Sequence, residues 1–255
     1  MARLRPVRHD EHLSIVDHLD ELRWRIILSL AALVVAFGLC FWQSALVLDI
    51  AADPLPIANR QLIVLAPAEA FMTTVTVCLY AALILAAPFI SYQLFAYLLP
   101  AFSPRERRMI IPVLLAIPLL FLAGVVFAYF VILPAAVDFL LSFNSEQFST
   151  QLRARDYYSF FAMTLLAGGV VFQVPVVILA LVKLQIVSVE QLRHNRRYAY
   201  LLIAVIAAAL PGVDPITMLI EMVPLLLLYE LSILLARALG AARPPEALEP
   251  NVQER

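Results

Sequence analysis

The segment HLDELRWR, residues 18–25 of a 255-residue chain, crowds His18, Asp20, Glu21, Arg23 and Arg25 together and runs straight into an apolar stretch. Carboxylates placed there either balance the neighbouring guanidinium groups or receive an arginine brought by another molecule, because carboxylate and guanidinium match as a bidentate pair. Glu106, in SPRERR, poses the same choice, its simpler role being to offset basic neighbours on a solvated loop. A second set of polar residues lies inside apolar segments: Gln173 in VVFQVPVV, and Glu221 and Glu230 farther on. Charge inside lipid is costly and usually tied to function. Gln173 can serve as an interhelical hydrogen bond or as a contact to a ligand or partner. Glu230, within two turns of Arg237, is expected to form a structural ion pair, whereas Glu221 is deeper and more suggestive of function. Asp214, in LPGVDP, has the type and the following proline of a turn or a helix N-cap.

Other chemistry finds little support. No zinc-ligand histidine pair, nucleophile elbow, phosphate loop or paired carboxylate motif is present, so neither an enzyme nor a cofactor is expected. His9, His12, His18 and His194 fall in charged segments and read as solvated. Cys40 and Cys78 lie inside apolar runs, where cysteine behaves as a small apolar residue.

The elements that must position these residues are membrane helices. The chain is 63% hydrophobic and 15% charged, far more apolar than a soluble domain. Uncharged runs at 26–48, 70–104, 109–137 and 157–182 each meet the ~20 residues needed to cross a bilayer. A run at 198–213 and a stretch at 215–236, broken by Glu221 and Glu230, bring the expected number of spans to six. The fifth reaches only Tyr198–Leu210, about 20 Å of helix; the sixth is long enough in total but has only eight uncharged residues, roughly 12 Å, between its glutamates, so both read as short. Prolines at 88, 100, 112, 118, 134, 175, 211 and 224 predict kinked, tilted helices. Of 18 basic residues, 15 fall on one side of this six-span path and three on the other. That bias predicts both termini in the cytoplasm. Two long loops on the other side, 49–69 and 138–156, could together form a cap.

Three segments follow: a cytoplasmic amphipathic lead at 1–25, with Leu13, Val16, Leu19 and Leu22 at helical spacing; a six-helix transmembrane domain at 26–236; and a polar tail at 237–255 without apolar periodicity, expected to be disordered. The first apolar run is too long for a cleavable signal and reads as a retained helix.

Several blocks, in order, resemble the TatC family, the C subunit of the twin-arginine protein translocase. They are HLDELRWR, PAEAF, PFISYQLFAYLLPAFSPRERR, FLAGVVFAYFVILPAAVDFL, VVFQVPVVI and DPITMLIEMVPLLLLYE, spanning about residues 12–237. The resemblance implies a receptor for export signals bearing an arginine pair, which helps move folded proteins across the inner membrane using the proton gradient. It implies partners as well: the signal peptides of cargo, small single-span subunits of the TatA and TatB type that dock on the last two helices, the lipid bilayer, and a larger complex containing further copies, with no nucleic acid. By motif, Glu21 and Glu106 correspond to signal-binding acids, with Arg23 in the same signature. Pro54, Asp214 and Glu230 match recurrent positions, and Gln173 stands where members carry Glu or Gln. The chain departs from the pattern at Tyr97, where Phe is usual, and at Met218, where some members have Gln. Glu221 is an acid foreign to the pattern, so a polar contact to a partner helix could have moved from position 218 to 221.

Two other classes compete. A solute transporter would want discontinuous helices around a charged midplane site, often within an internal repeat, and no repeat relates the halves. A scaffold that organises other membrane proteins would not bind peptides through arginines.

Overall fold

The computed structural model describes residues 15–56, 60–98, 104–147, 150–210 and 214–238, with side chains described except at 15–17, 98 and 104–115. The chain is all helical, with α1 at Ile15–Trp42, α2 at Ser44–Ala52, α3 at Glu69–Leu98 and α4 at Pro104–Phe127. A π turn at Ala128–Ile132 leads into α5, Leu133–Ser142. Then come α6 at Ala154–Val171, α7 at Val174–Lys183, α8 at Val189–His194, α9 at Arg196–Ala209 and α10 at Pro215–Ala238.

Proline accounts for the breaks. Pro134 has no N–H to donate back, and the preceding turn widens to i→i+5 bonding before α5 resumes with Pro134 in its first turn. Pro175 likewise opens α7 after Phe172 and Gln173 leave the path of α6. Pro88 and Pro224 are carried inside α3 and α10. Ser188 and Gln191 cap α8 reciprocally, the hydroxyl accepting from Gln191 N at 3.0 Å and the amide oxygen from Ser188 N at 2.9 Å.

Among the described residues five helical stretches are long and apolar enough to cross a membrane: His18–Trp42, Glu69–Tyr97, Ala116–Ser142, Ala154–Lys183 and Pro215–Ala238. The short fifth span is α9, whose 14 residues rise about 21 Å. The sixth differs from expectation. At 24 residues α10 is full length, about 36 Å, and Glu221 does not curtail it because that side chain is buried against protein rather than offered to lipid. The amphipathic lead differs too: from Ile15 onward it is no separate interfacial helix but the first turns of α1. The tail from 239 and the chain before 15 lie outside the described residues.

α1 lies along α3; α3, α4 and α6 pack mutually; and α10 pairs with α7 and α9. The α4–α6 crossing is set by glycines. A Cβ on Gly168 would sit 2.7 Å from the Cβ of Ala128 and 2.9 Å from the carbonyl oxygen of Gly124, so the two backbones approach as only side-chain-free positions allow. One apolar core joins Leu179, Ile203, Leu225 and Ile233 of α7, α9 and α10. Another joins Ala51, Leu55, Leu133, Phe161 and Leu165 under the long loops. Those loops do meet: Ile63 donates its N–H to Leu152 O, and Ala154 N–H returns to Ile63 O, both at 2.9 Å.

Candidate functional site

α1, α4, α8 and α9 begin, and α3, α7 and α10 finish, at one basic end of the bundle. There the first turns of α1 place Glu21, Arg25 and His18 against the last turns of α3. Arg25 donates Nε (3.0 Å) and Nη2 (2.6 Å) to Glu21 Oε1, and its Nη1 to Gln93 Oε1 at 2.9 Å. His18 stacks on Tyr97, ring centres 4.3 Å apart and planes 11° from parallel, with Nδ1 4.0 Å from Glu21 Oε2. Beside this polar knot runs an apolar groove of about 330 Å³ between α1 and α3, lined by Leu22, Ile26, Leu30, Ile90, Leu94 and Tyr97. Arg23 and Asp20 are exposed on the same helix. Glu106 lies in the first turn of α4, but its side chain is outside the described residues.

Of the polar residues predicted inside apolar segments, each has its own setting. Gln173 is buried and donates Nε2 to Ile117 O at 3.0 Å, an interhelical bond between the α6–α7 break and α4. Asp214 caps α10, its Oδ1 accepting from Thr217 N at 2.7 Å. Glu230 is ion-paired, but with Arg196 rather than with Arg237. Arg196 Nη2 donates at 2.7 Å and Tyr200 Oη at 2.7 Å, because α9 turns its first residues onto α10, where Arg237 is a turn or two beyond reach. Met218 is half-buried against the α7–α9–α10 core. Glu221 is buried within the chain's own packing. Pro54 sits half-buried in the turn after α2, between Asp53, which pairs with Arg60 at 2.9 Å, and the buried Leu55.

Three relationships are not legible in the sequence. Gln93 and the His18–Tyr97 stack are invisible there because α1 and α3 meet only in three dimensions. The third is at the opposite end, where buried Glu69 receives Arg153 Nε at 2.6 Å, Nη2 at 3.1 Å and Leu65 N at 2.9 Å. The Glu69 carboxylate holds the Arg153 guanidinium above its already high range, against the pull of partial burial. An acid after Pro67 at the head of an apolar run is a recognisable first-turn residue. Its partner is 84 positions away, and no local pattern announces it.

A helical bundle with five stretches apolar enough to cross a membrane, a polar knot at its basic end and internal hydrogen bonds tying broken helices together is the architecture of a polytopic membrane protein, and no catalytic constellation accompanies it among the described residues. The family model of the Sec-independent protein translocase protein (TatC) matches residues 17–224, and the chain belongs to that family. It is 37% identical over 229 residues to the Sec-independent protein translocase protein TatC of Carboxydothermus hydrogenoformans, covering 89% of this chain and 94% of that one. It is 35% identical, also over 229 residues, to its counterpart in Aquifex aeolicus, covering 88% and 95%. A crystal structure of a twin arginine translocase receptor, TatC, superposes with a TM-score of 0.74 at 36% identity, covering 88% of this chain and 99% of that one. The chain is thus a multi-pass membrane subunit of the Sec-independent protein translocase.

Proposed function

We propose that this chain is the signal receptor of its translocase, taking the arginine pair of an export signal between Glu21 and Glu106 at the cytoplasmic face of the inner membrane. Both termini are assigned to the cytoplasm in this reading by the 15-to-three bias of basic residues. The observation that carries the reading is the adjacency of Glu21 to the apolar groove between α1 and α3. An export signal has a charged segment followed by an apolar one. Carboxylates beside an apolar channel offer complementary surfaces to both in that order. Tyr97 walls the groove and Arg23 stands exposed beside it, so both belong to the proposed contact.

The partners in this reading are arginine-pair signals and small single-span subunits. Met218, half-buried on α10, has a side open to a neighbouring helix. Gln173, Asp214 and Glu230 act structurally, through the bonds already described, and Pro54 shapes the cap.

The test is equilibrium binding of an arginine-pair signal peptide to the purified protein in nanodiscs. Charge-assisted hydrogen bonds contribute about 1.5–3 kcal/mol each, so Glu21→Gln or Glu106→Gln should weaken binding roughly tenfold or more. The double variant should nearly abolish it, and Asp20→Asn should do little. Equal affinity of wild type and double variant would return both acids to balancing nearby arginines.

A further inference from the structure

The first two turns of α10 and its cap carry Asp214, Thr217 and Glu221 three and four residues apart, on one stripe of the helix. All three are buried within the chain, at 5%, 0% and 3% exposure. After Asp214 Oδ1 has accepted from Thr217 N, each residue still holds an oxygen with no hydrogen-bond partner among the described residues: Asp214 Oδ2, Thr217 Oγ1 and Glu221 Oε2. Burial inside a single chain also puts Glu221 out of reach of a helix docking from outside, so contact with a single-span partner does not account for it.

A buried carboxylate normally has a cation. α5, α7, α8, α9 and the π turn pack against α10, and their charged and titratable groups lie elsewhere. Asp138 of α5 is exposed, and Tyr129 of the π turn donates to Ile50 O. Lys183 closes α7, Glu190, Arg193 and His194 lie on α8, and Arg196, Arg197, Tyr198 and Tyr200 open α9, all at the basic end. There they share the company of Tyr229, Glu230 and Arg237 of α10 itself. On the same stripe of α10 as Glu221, and buried with it, stands Asp214, an anion like itself. Two uncompensated negative charges in a low-dielectric interior are not both sustained, and neutralising one by a proton is the least costly remedy. The helix N-terminus favours an anion at the cap. Glu221, two turns farther in, has no such support.

We propose that Glu221 is an intramembrane proton-binding site, its carboxyl neutral at neutral pH and exchanging its proton with solvent at the Asp214 end of α10. It lies six positions beyond Pro215, about 9 Å of helix. The neutral carboxyl adds an O–H donor to a cluster in which the Thr217 hydroxyl is the other side-chain donor. This site stands apart from the peptide-binding reading and does not depend on it.

Infrared spectra of the purified protein in nanodiscs test it, because a protonated carboxyl absorbs apart from a carboxylate. The expected result is a protonated-carboxyl band at neutral pH that Glu221→Gln removes and Asp214→Asn keeps. Glu221→Gln is isosteric with the neutral acid and should keep the wild-type melting temperature. Wild-type protein with carboxyl-labelled glutamate gives the same reading without any substitution: one carbon resonance should stay at the protonated position at neutral pH. Absence of that resonance and band, or a band lost in Asp214→Asn but kept in Glu221→Gln, overturns the assignment. So does conversion to the ionised form on adding sodium chloride at constant pH, which would make the cluster a cation site instead.

Discussion

Arg25 closes on Glu21 from one helical turn away, with Nη2 2.6 Å from Oε1, while its other arm reaches Gln93 on α3. The carboxylate proposed to receive a signal arginine is therefore already held by one of the chain's own. A partly exposed pair at this spacing is worth only ~0.3–0.5 kcal/mol, so it opens at little cost to an incoming arginine. Arg25→Gln should leave arginine-pair peptide binding intact or tighten it several-fold, read by the same equilibrium assay, and complete loss of binding would make Arg25 part of the receptor contact instead.

At the opposite end, Glu69 and Arg153 join the head of α3 to the residue before α6. Either Glu69→Gln or Arg153→Gln breaks the bidentate grip and leaves the other partner without its counter-charge. Each should lower the melting temperature by roughly several degrees. Because both changes remove the same interaction, the double variant should lose little more than either single one, and simple additivity in a double-mutant cycle would show that the pair is not coupled.

Much of the architecture is written in local pattern. Uncharged runs between charges mark the spans because lipid tolerates little else, and Pro134 and Pro175 mark the π turn and the α6–α7 break because a missing N–H must be accommodated nearby. Asp214 is readable as a cap from its own type and the proline after it. What local pattern does not carry is pairing. Nearness along the helix assigns Glu230 to Arg237, yet its partner is Arg196, 34 residues earlier, because α9 folds back along α10. Gln93 and Arg153 escape notice for the same reason: their partners are 68 and 84 positions away. Polarity alone makes Glu221 look partner-facing, but which side of a helix faces its own chain is decided by tertiary packing.

The glycine crossing of α4 and α6 should tolerate no side chain. A methyl group at Gly168 meets backbone on one side and Ala128 on the other, neither of which can swing away, so Gly168→Ala should cost about 1–3 kcal/mol. Gly38, in α1, is the control, since a methyl group there would meet nothing within 4 Å. Gly38→Ala should be neutral or slightly stabilising, because alanine is the better helix former. Thermal melts of the two variants compare them directly, and equal melting temperatures would remove the crossing as a constraint.

Orientation is open to chemical labelling. With Cys40 and Cys78 replaced, single cysteines at positions 60 and 150 should react with an impermeant thiol reagent from outside the cell. A cysteine at 105 should react only after permeabilisation. Outside labelling at 105 would invert the topology derived from the basic residues.

The shortest span depends on a polar lock. α9 has 14 residues and is held to α10 by Glu230, which receives Arg196 and Tyr200 at 2.7 Å each, and by Tyr229 Oη donating to Leu192 O at 2.8 Å in the preceding helix. Arg196 is part-exposed, so losing the ion pair itself costs no more than about 1 kcal/mol, too little to unfold the bundle. The consequence should be local instead: a helix of about 21 Å has few lipid-facing turns to hold it in place, and its first turn is anchored through that carboxylate. Glu230→Gln should therefore leave the global melting temperature within a few degrees of wild type while amide exchange in Arg196–Ala209 quickens roughly fivefold. Tyr200→Phe, which removes one of the two donors, should produce a smaller change in the same segment. Unchanged exchange in α9 in both variants would mean that apolar packing on Ile203 and Ala207 alone holds the helix against α10.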